Sequence, residues 1–209
     1  YFDNVDYIKI LGGEPFLDKR NFELFKNIPR EKITLFLVTN NSIFPNDDIL
    51  KLLMDFKHID INISIDGMGE VAEFVRYGTK WKRFERNWNK WFDWQVDKRH
   101  KVHIEPHYVL HSLSGAFFQE TLDWSNINPQ WWSWDFLNEP YWLNMKFLPD
   151  NIKEYILNNN KKFDDSFNGA LTNFLKSGSY SETHFTELKR YILNSNIPDK
   201  MEEYVDLFF

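Results

Sequence analysis

The stretch Ile59-Asp60-Ile61-Asn62-Ile63-Ser64-Ile65-Asp66-Gly67 decides the fold class. Isoleucine occupies every second position and a polar residue each position between, the two-residue period of a β-strand. Ile59, Ile61, Ile63 and Ile65 share one face, and Asp60, Asn62, Ser64 and Asp66 share the other. A parallel strand covered by helices on both sides is apolar on both faces. A polar face on such a strand fits a barrel lumen that takes a polar ligand. The competing reading is an edge strand facing water.

Working outward, Ile33 to Val38 is a β-rich apolar run closed by Thr39-Asn40-Asn41, and Tyr7 to Leu11 is a shorter one closed by Gly12-Gly13. Val102 to Leu110 supplies a fourth strand. Helical patterns fill the gaps. Phe22, Leu24, Phe25 and Ile28 precede Pro29, and Asn46 or Asp47 caps a helix with Ile49, Leu52, Leu53 and Phe56 on its apolar side. A longer helix is expected from Lys80 to Asp97 and another around Gly115 to Trp124, before extended pieces at Trp132–Leu137 and Trp142–Phe147. Strands separated by helix-length crossovers predict βαβ units, an α/β class and a mostly parallel sheet, its strands adjacent in chain order with 7–11 at the edge. Beyond Pro149 the pattern turns helical, over 152–159, 163–176, 183–193 and 198–208, with Pro198 at a first helical position. Residues 1–149 are therefore expected to form the sheet-bearing part and 150–209 a helical C-terminal region.

Composition narrows the classes. The net charge is −6, whereas nucleic-acid and anionic-membrane binders carry a basic excess. Hydrophobic residues make up 43% and charged residues 27%, a globular balance. No apolar run nears the roughly 20 residues of a membrane span, and there is no signal-peptide pattern; a cytoplasmic location is expected. None of the 209 residues is cysteine, so thiolate metal sites, disulfides and cysteine nucleophiles are excluded within them.

In parallel α/β folds, ligands bind beyond the carboxyl ends of the strands. Here those ends are Gly12-Gly13-Glu14-Pro15, Thr39-Asn40-Asn41 and Ser64-Ile65-Asp66-Gly67. Leu11-Gly12-Gly13-Glu14-Pro15-Phe16-Leu17 resembles the GGEP segment of radical S-adenosylmethionine (SAM) enzymes. Val38-Thr39-Asn40-Asn41 is similar to their TNG segment. Ile63 to Gly67, followed by Phe74-Val75-Arg76-Tyr77-Gly78 and Trp81, resembles their S-x-D-G and R-x-G stretches. All three occur in family order over residues 5–90. Asn138 to Pro149 is similar to the twitch subgroup, including phage-type members.

The resemblance implies a partial (β/α) barrel missing its first strand, with the CxxxCxxC ligands of a [4Fe–4S] cluster upstream of Tyr1, where the chain opens inside apparent structure. It implies that the intact protein cleaves SAM reductively at that cluster and makes a 5′-deoxyadenosyl radical for hydrogen abstraction. By the same resemblance Gly12, Gly13, Glu14, Pro15 and Asn40 bind the cofactor, with Gly12 and Gly13 admitting the methionine amino group and Glu14 accepting from its ammonium. Ser64 and Asp66 take the ribose or methionine part, Arg76 pairs with the carboxylate or, in the competing reading, forms a surface ion pair, and His107 or His111 near the barrel mouth contacts substrate. The substrate is a peptide or a small molecule, and a flavodoxin or ferredoxin donates the electron. An auxiliary cluster of the twitch kind finds no cysteine ligand here. The alternative from another class is a catalytically dead barrel that binds SAM-like ligands or a protein partner.

Two further patterns are read structurally. At 100° per residue, Trp81, Phe84, Trp88, Trp91 and Phe92 form one stripe, while Lys82, Arg83, Arg86 and Lys90 face away. That is a helix docked on a sheet and not a stacking surface for nucleic acid. His103, Glu105, His107 and His111 share a strand face, which keeps a His-ligated metal hydrolase as the runner-up enzyme class, with Pro106 placed to bend that strand. Trp132, Trp134 and Phe136 alternate as core residues.

Overall fold

The computed structural model describes residues 2, 4–161 and 165–209. Five parallel strands lie in chain order in one sheet. They are β1 (Tyr7–Ile10), β2 (Thr34–Thr39), β3 (His58–Ile65), β4 (Val102–Leu110) and β5 (Ser133–Phe136). The α/β class and the strand order match the sequence expectation. β3 lies between β2 and β4, so its polar face is not that of an edge strand. β1 stands at one end of the order.

The chain divides into two compact units, Tyr1–Ser64 with Lys80–His107, and Ile65–Thr79 with Tyr108–Phe209. In the first, β1 runs parallel to β2 from Tyr7 opposite Thr34 to Ile10 opposite Leu37. β2 runs parallel to β3 from Thr34 opposite His58 to Thr39 opposite Ile63. Helix α1 (Lys19–Lys26) starts where the Asp18 carboxylate accepts from the Arg20 amide, and α2 (Asp47–Leu53) where Asn46 accepts from the Ile49 amide. Leu35, Leu37, Ile59, Ile61, Ile63, Phe25 and Phe56 are buried between these layers.

Two more helices follow β3 in the chain: α3 (Gly69–Val75), in the second unit, and α4 (Trp81–Gln95), in the first. On α4 the expected stripe is the packed face. Phe84, Trp88 and Trp91 are buried, and Lys82, Arg83 and Lys90 are exposed. Helix α3 was not expected from the sequence; seven residues present too few turns for a period to register.

In the second unit, α5 (Phe118–Ser125), α6 (Asp150–Asn159), α7 (Asp165–Lys176), α8 (Glu182–Leu193) and α9 (Glu202–Asp206) complete the chain. Trp134 and Phe136 of β5 pack against Phe167 and Phe174 of α7, with ring centroids 5.1 and 4.2 Å apart. The helix expected from Phe163 begins among the described residues at Asp165, and Phe163 itself lies outside them. The extended piece expected at 142–147 is instead two 3-10 turns, Tyr141–Leu143 and Met145–Phe147. The Asn144 side chain accepts from the Lys146 amide at 3.1 Å and holds the chain in a turn that β-like spacing alone does not reveal. Pro198 precedes the final turn and helix, one residue before the first helical position. Among the described residues no helix is long and apolar enough to cross a membrane.

Candidate functional site

The loop after β1 is built around a buried carboxylate. Glu14 is 7% exposed. Its oxygens accept from the Thr39 hydroxyl at 2.8 and 3.0 Å, from the Asn40 amide at 3.1 Å and from the Phe16 amide at 3.4 Å. The GGEP loop is thereby fastened to the carboxyl end of β2. Burial pushes the Glu14 carboxyl above its ordinary range, while the bonds from Thr39, Phe16 and Asn40 pull it back. Ahead of it, Gly12 and Gly13 have φ of +83° and +62°, a left-handed backbone that side chains resist, and a Cβ on either would meet only open space. An open cleft of about 630 Å³ lies here, lined by Ile10 to Glu14 and Leu17 to Asn21. Pro15 is buried, and its carbonyl accepts from the Asn21 amide group at 2.9 Å.

The Thr39-Asn40-Asn41 turn is fixed just as closely. Asn41 has φ of +60°, a left-handed conformation that asparagine tolerates and most side chains do not. In the TNG segment that this turn resembles, glycine takes the corresponding place. Its side chain donates to the Phe84 carbonyl, and the Asn87 side chain donates to the Asn41 carbonyl, both at 2.9 Å. Trp91 packs its ring 5.4 Å from Phe16 and 4.7 Å from Phe44. Helix α4 is thus the support on which both loops rest.

On the polar side of β3, Asp60 lies 3.2 Å from His58 Nε2 and 3.5 Å from His103 Nδ1, and the Asn62 amide group donates to Glu105 at 3.2 Å. Ser64 and His107 are half-buried. β4 runs unbroken through Pro106. The runner-up metal set does not form: among the described residues no group of three or more His, Asp or Glu is arranged to hold a metal ion. His103 is taken up by Asp60 and Glu105 by Asn62.

The second unit carries the remaining motif residues. Asp66 Oδ2 accepts from Arg76 Nε at 2.9 Å, and Oδ1 accepts from the Val109 amide at 3.4 Å. A Cβ on Gly67 would come within 2.7 Å of Val71 Cγ1, so only glycine lets α3 start this close to the strand end. His111 is buried, with Nδ1 accepting from the Leu113 amide at 3.2 Å, which assigns the proton to Nε2. Burial lowers its pKa to about 4, with the Asp66 charge acting upward and the Arg76 charge downward.

Within the first unit the structure brings together Gly12, Gly13, Glu14, Pro15 and Asn40. Within the second it brings together Asp66, Arg76 and His111. Sequence reasoning missed Thr39 as the partner of Glu14, and Asn87. The signal for Asn87 was present: a polar residue inside the apolar stripe between Phe84 and Trp91.

No protein-family model and no curated protein matches the chain. Solved structures do. Histidine-tagged anSMEcpe with bound AdoMet aligns with a TM-score of 0.50 at 18% identity, over 91% of this chain and 53% of that one. The fold resembles that of anSMEcpe. Native anSMEcpe with bound AdoMet and Kp18Cys peptide gives 0.49 at 18% identity, covering 91% and 53%. The chain spans about half the length of these proteins.

Proposed function

We propose that this chain is the SAM-facing part of a cytoplasmic radical SAM enzyme. The observation that carries the reading is the Glu14 carboxylate, locked by Thr39 and Asn40 beside two left-handed glycines at the strand ends. Its fold likeness to anSMEcpe, a radical SAM enzyme, supports the same assignment. The residues present fit SAM. Glu14 accepts from three donors, and the single proton of the Thr39 hydroxyl is shared between its two oxygens, so a methionine ammonium would compete with Thr39 for one of them. In the first unit Gly12 and Gly13 let a ligand approach the backbone; for Ser64 and Asp66 toward the ribose or methionine part, and for Arg76 toward the carboxylate, the resemblance alone speaks, and in the second unit Arg76 pairs with Asp66.

Bound SAM supplies, on one-electron reduction, a carbon radical for hydrogen abstraction. The residues do not fit a [4Fe–4S] cluster, because the 209 contain no cysteine. In this proposal its ligands lie outside these residues, a flavodoxin or ferredoxin donates the electron, and the substrate is a peptide or small molecule met by His107 and His111. The absence of cysteine equally favours a second reading, a barrel that binds SAM-like ligands without redox chemistry. Release of 5′-deoxyadenosine by the reduced intact protein separates the two.

Calorimetric titration with SAM tests the shared core of both. Asp66→Ala is expected to weaken binding about tenfold to hundredfold, the worth of one hydrogen-bonded charged group. Lys82→Ala, on the exposed face of α4, leaves it unchanged. Thermal melts run alongside separate lost affinity from lost fold. An Asp66→Ala protein that binds SAM like the parent removes this end of β3 from the site.

A further inference from the structure

The exposed face of α4, in the first unit, carries a basic stripe that the SAM reading does not use. Lys82, Arg86 and Lys90 stand four residues apart with Arg83 and Asn89 beside them, so about 12 Å of helix presents four cations to solvent. Among the described residues the side chains of Lys82, Arg83 and Arg86 form no hydrogen bond or ion pair, and Lys90 only rests its ammonium 5.4 Å from the centre of the Phe44 ring. Glu85 is half-buried on the flank, outside the stripe. This arrangement works against the helix. Like charges four residues apart repel, and the stripe holds two such pairs, Lys82 with Arg86 and Arg86 with Lys90. Lys82 and Arg83 also lie in the first turn, where the helix dipole favours acids, and Asp93 lies in the last, where it favours bases. Helices α2, α7 and α8 do the reverse, with acids in the first turn and a base in the last. Helix stability therefore does not account for the stripe.

We propose that the exposed face of α4 docks an acidic segment of a partner protein. Charge complementarity selects the occupant, since unpaired arginine and lysine side chains recognise carboxylates through charge-assisted hydrogen bonds. Asp93 ends the stripe, and its charge opposes a polyanion of uniform sign but can meet a cation on a protein segment. The stripe offers no ring on which a nucleic-acid base could stack, because Phe84, Trp88 and Trp91 are buried on the other side of the helix. It offers no apolar side chain to enter a bilayer. The proposal stands independently of SAM binding: the Asn41 turn is held by the buried face of α4, through Phe84 and Asn87.

The test is a titration of the isotope-labelled chain at low salt with the capped peptide Ac-Glu-Ala-Ala-Ala-Glu-Ala-Ala-Ala-Glu-NH2, whose carboxylates repeat at the spacing of the stripe, followed by backbone amide resonances. Saturable shifts along residues 82–90 are expected. Joint replacement Lys82→Glu, Arg86→Glu and Lys90→Glu is expected to weaken binding about tenfold or more, in line with three exposed charge contacts. Arg83→Glu separates binding from folding. It is expected to weaken binding severalfold while raising the melting temperature by about 1–3 °C, because it puts an acid in the first turn. The proposal is overturned if the triple variant binds like the parent, or if the glutamine analogue of the peptide binds as well, since either marks contact without charge recognition. It is overturned equally if Arg83→Glu fails to raise the melting temperature, because the stripe would then be part of what stabilises the fold. A short single-stranded oligothymidylate that binds these residues more tightly than the peptide would overturn it by assigning the face to nucleic acid. Sedimentation showing a dimer that Arg86→Glu abolishes would do so by assigning it to a second copy of the chain.

Discussion

Lowering the pH should unfold this protein partly through one histidine. Unfolded His111 has an ordinary pKa of 6.5, and in the folded chain burial brings it down to about 4. Between those values the unfolded state takes up a proton that the folded state refuses. Stability from this residue is therefore complete above 6.5 and lost progressively as the pH falls to about 4. The interval is worth roughly 3 kcal/mol, a large share of the ~5–15 kcal/mol that holds a domain folded. Urea unfolding across this window, compared with His111→Asn, isolates the contribution. Asparagine keeps an acceptor for the Leu113 amide and cannot titrate, so the variant should show a shallower loss of stability on acidification while carboxylates and other histidines cancel. The local charges give a second check of sign. Arg76→Gln removes a neighbouring cation and should raise the His111 pKa, whereas Asp66→Asn should lower it further. Equal pH slopes in parent and variant, or an imidazole that titrates near 6.5 in the folded protein, would refute the reasoning.

Three other outcomes are expected. Trp91→Ala empties a fully buried ring site against Phe16 and Phe44 and should cost about 3–5 kcal/mol by denaturant melts. Asn41→Ala should destabilise more than Asn41→Gly, reversing the usual order, because both lose the bond to Phe84 but only alanine carries a Cβ into a left-handed backbone at roughly 1–2 kcal/mol. Anaerobic reconstitution of these 209 residues with iron and sulfide should give no thiolate-to-iron absorbance, and stoichiometric uptake would show ligands other than cysteine.

What the sequence revealed was mostly local periodicity. Four strands, the Asn46 cap and the buried face of α4 each follow from residues two to four apart, and each was readable. The polar face of β3 and the order of the strands around it were readable too, but the side-chain partners on that face were not. Only the structure shows Asp60 between His58 and His103. Where a side chain overrides the pattern, the reading failed. Asn144 turns an apparent strand into two 3-10 turns through a single hydrogen bond. His111 was legible as a polar residue past a strand, and its depressed pKa was not, because burial comes from elements that lie far along the chain.

The Thr39-Asn40-Asn41 turn shows why residue type and backbone conformation have to be read together. Asparagine at the glycine position of a TNG-like segment looks like a departure from the pattern. The backbone there is left-handed, so the constraint that glycine would meet is still in force, and asparagine is among the few side chains able to meet it. The substitution also adds something glycine lacks. Its side chain reaches the Phe84 carbonyl, and Asn87 returns a bond to its own carbonyl, so the turn is tied to α4 by two polar contacts beneath the aromatic stripe. The same turn presents the Thr39 hydroxyl and the Asn40 amide to Glu14. A buried carboxylate is stable only where donors are fixed in advance. The rigidity of this turn, obtained from α4, is what allows Glu14 to remain an acceptor in an environment that favours its protonation.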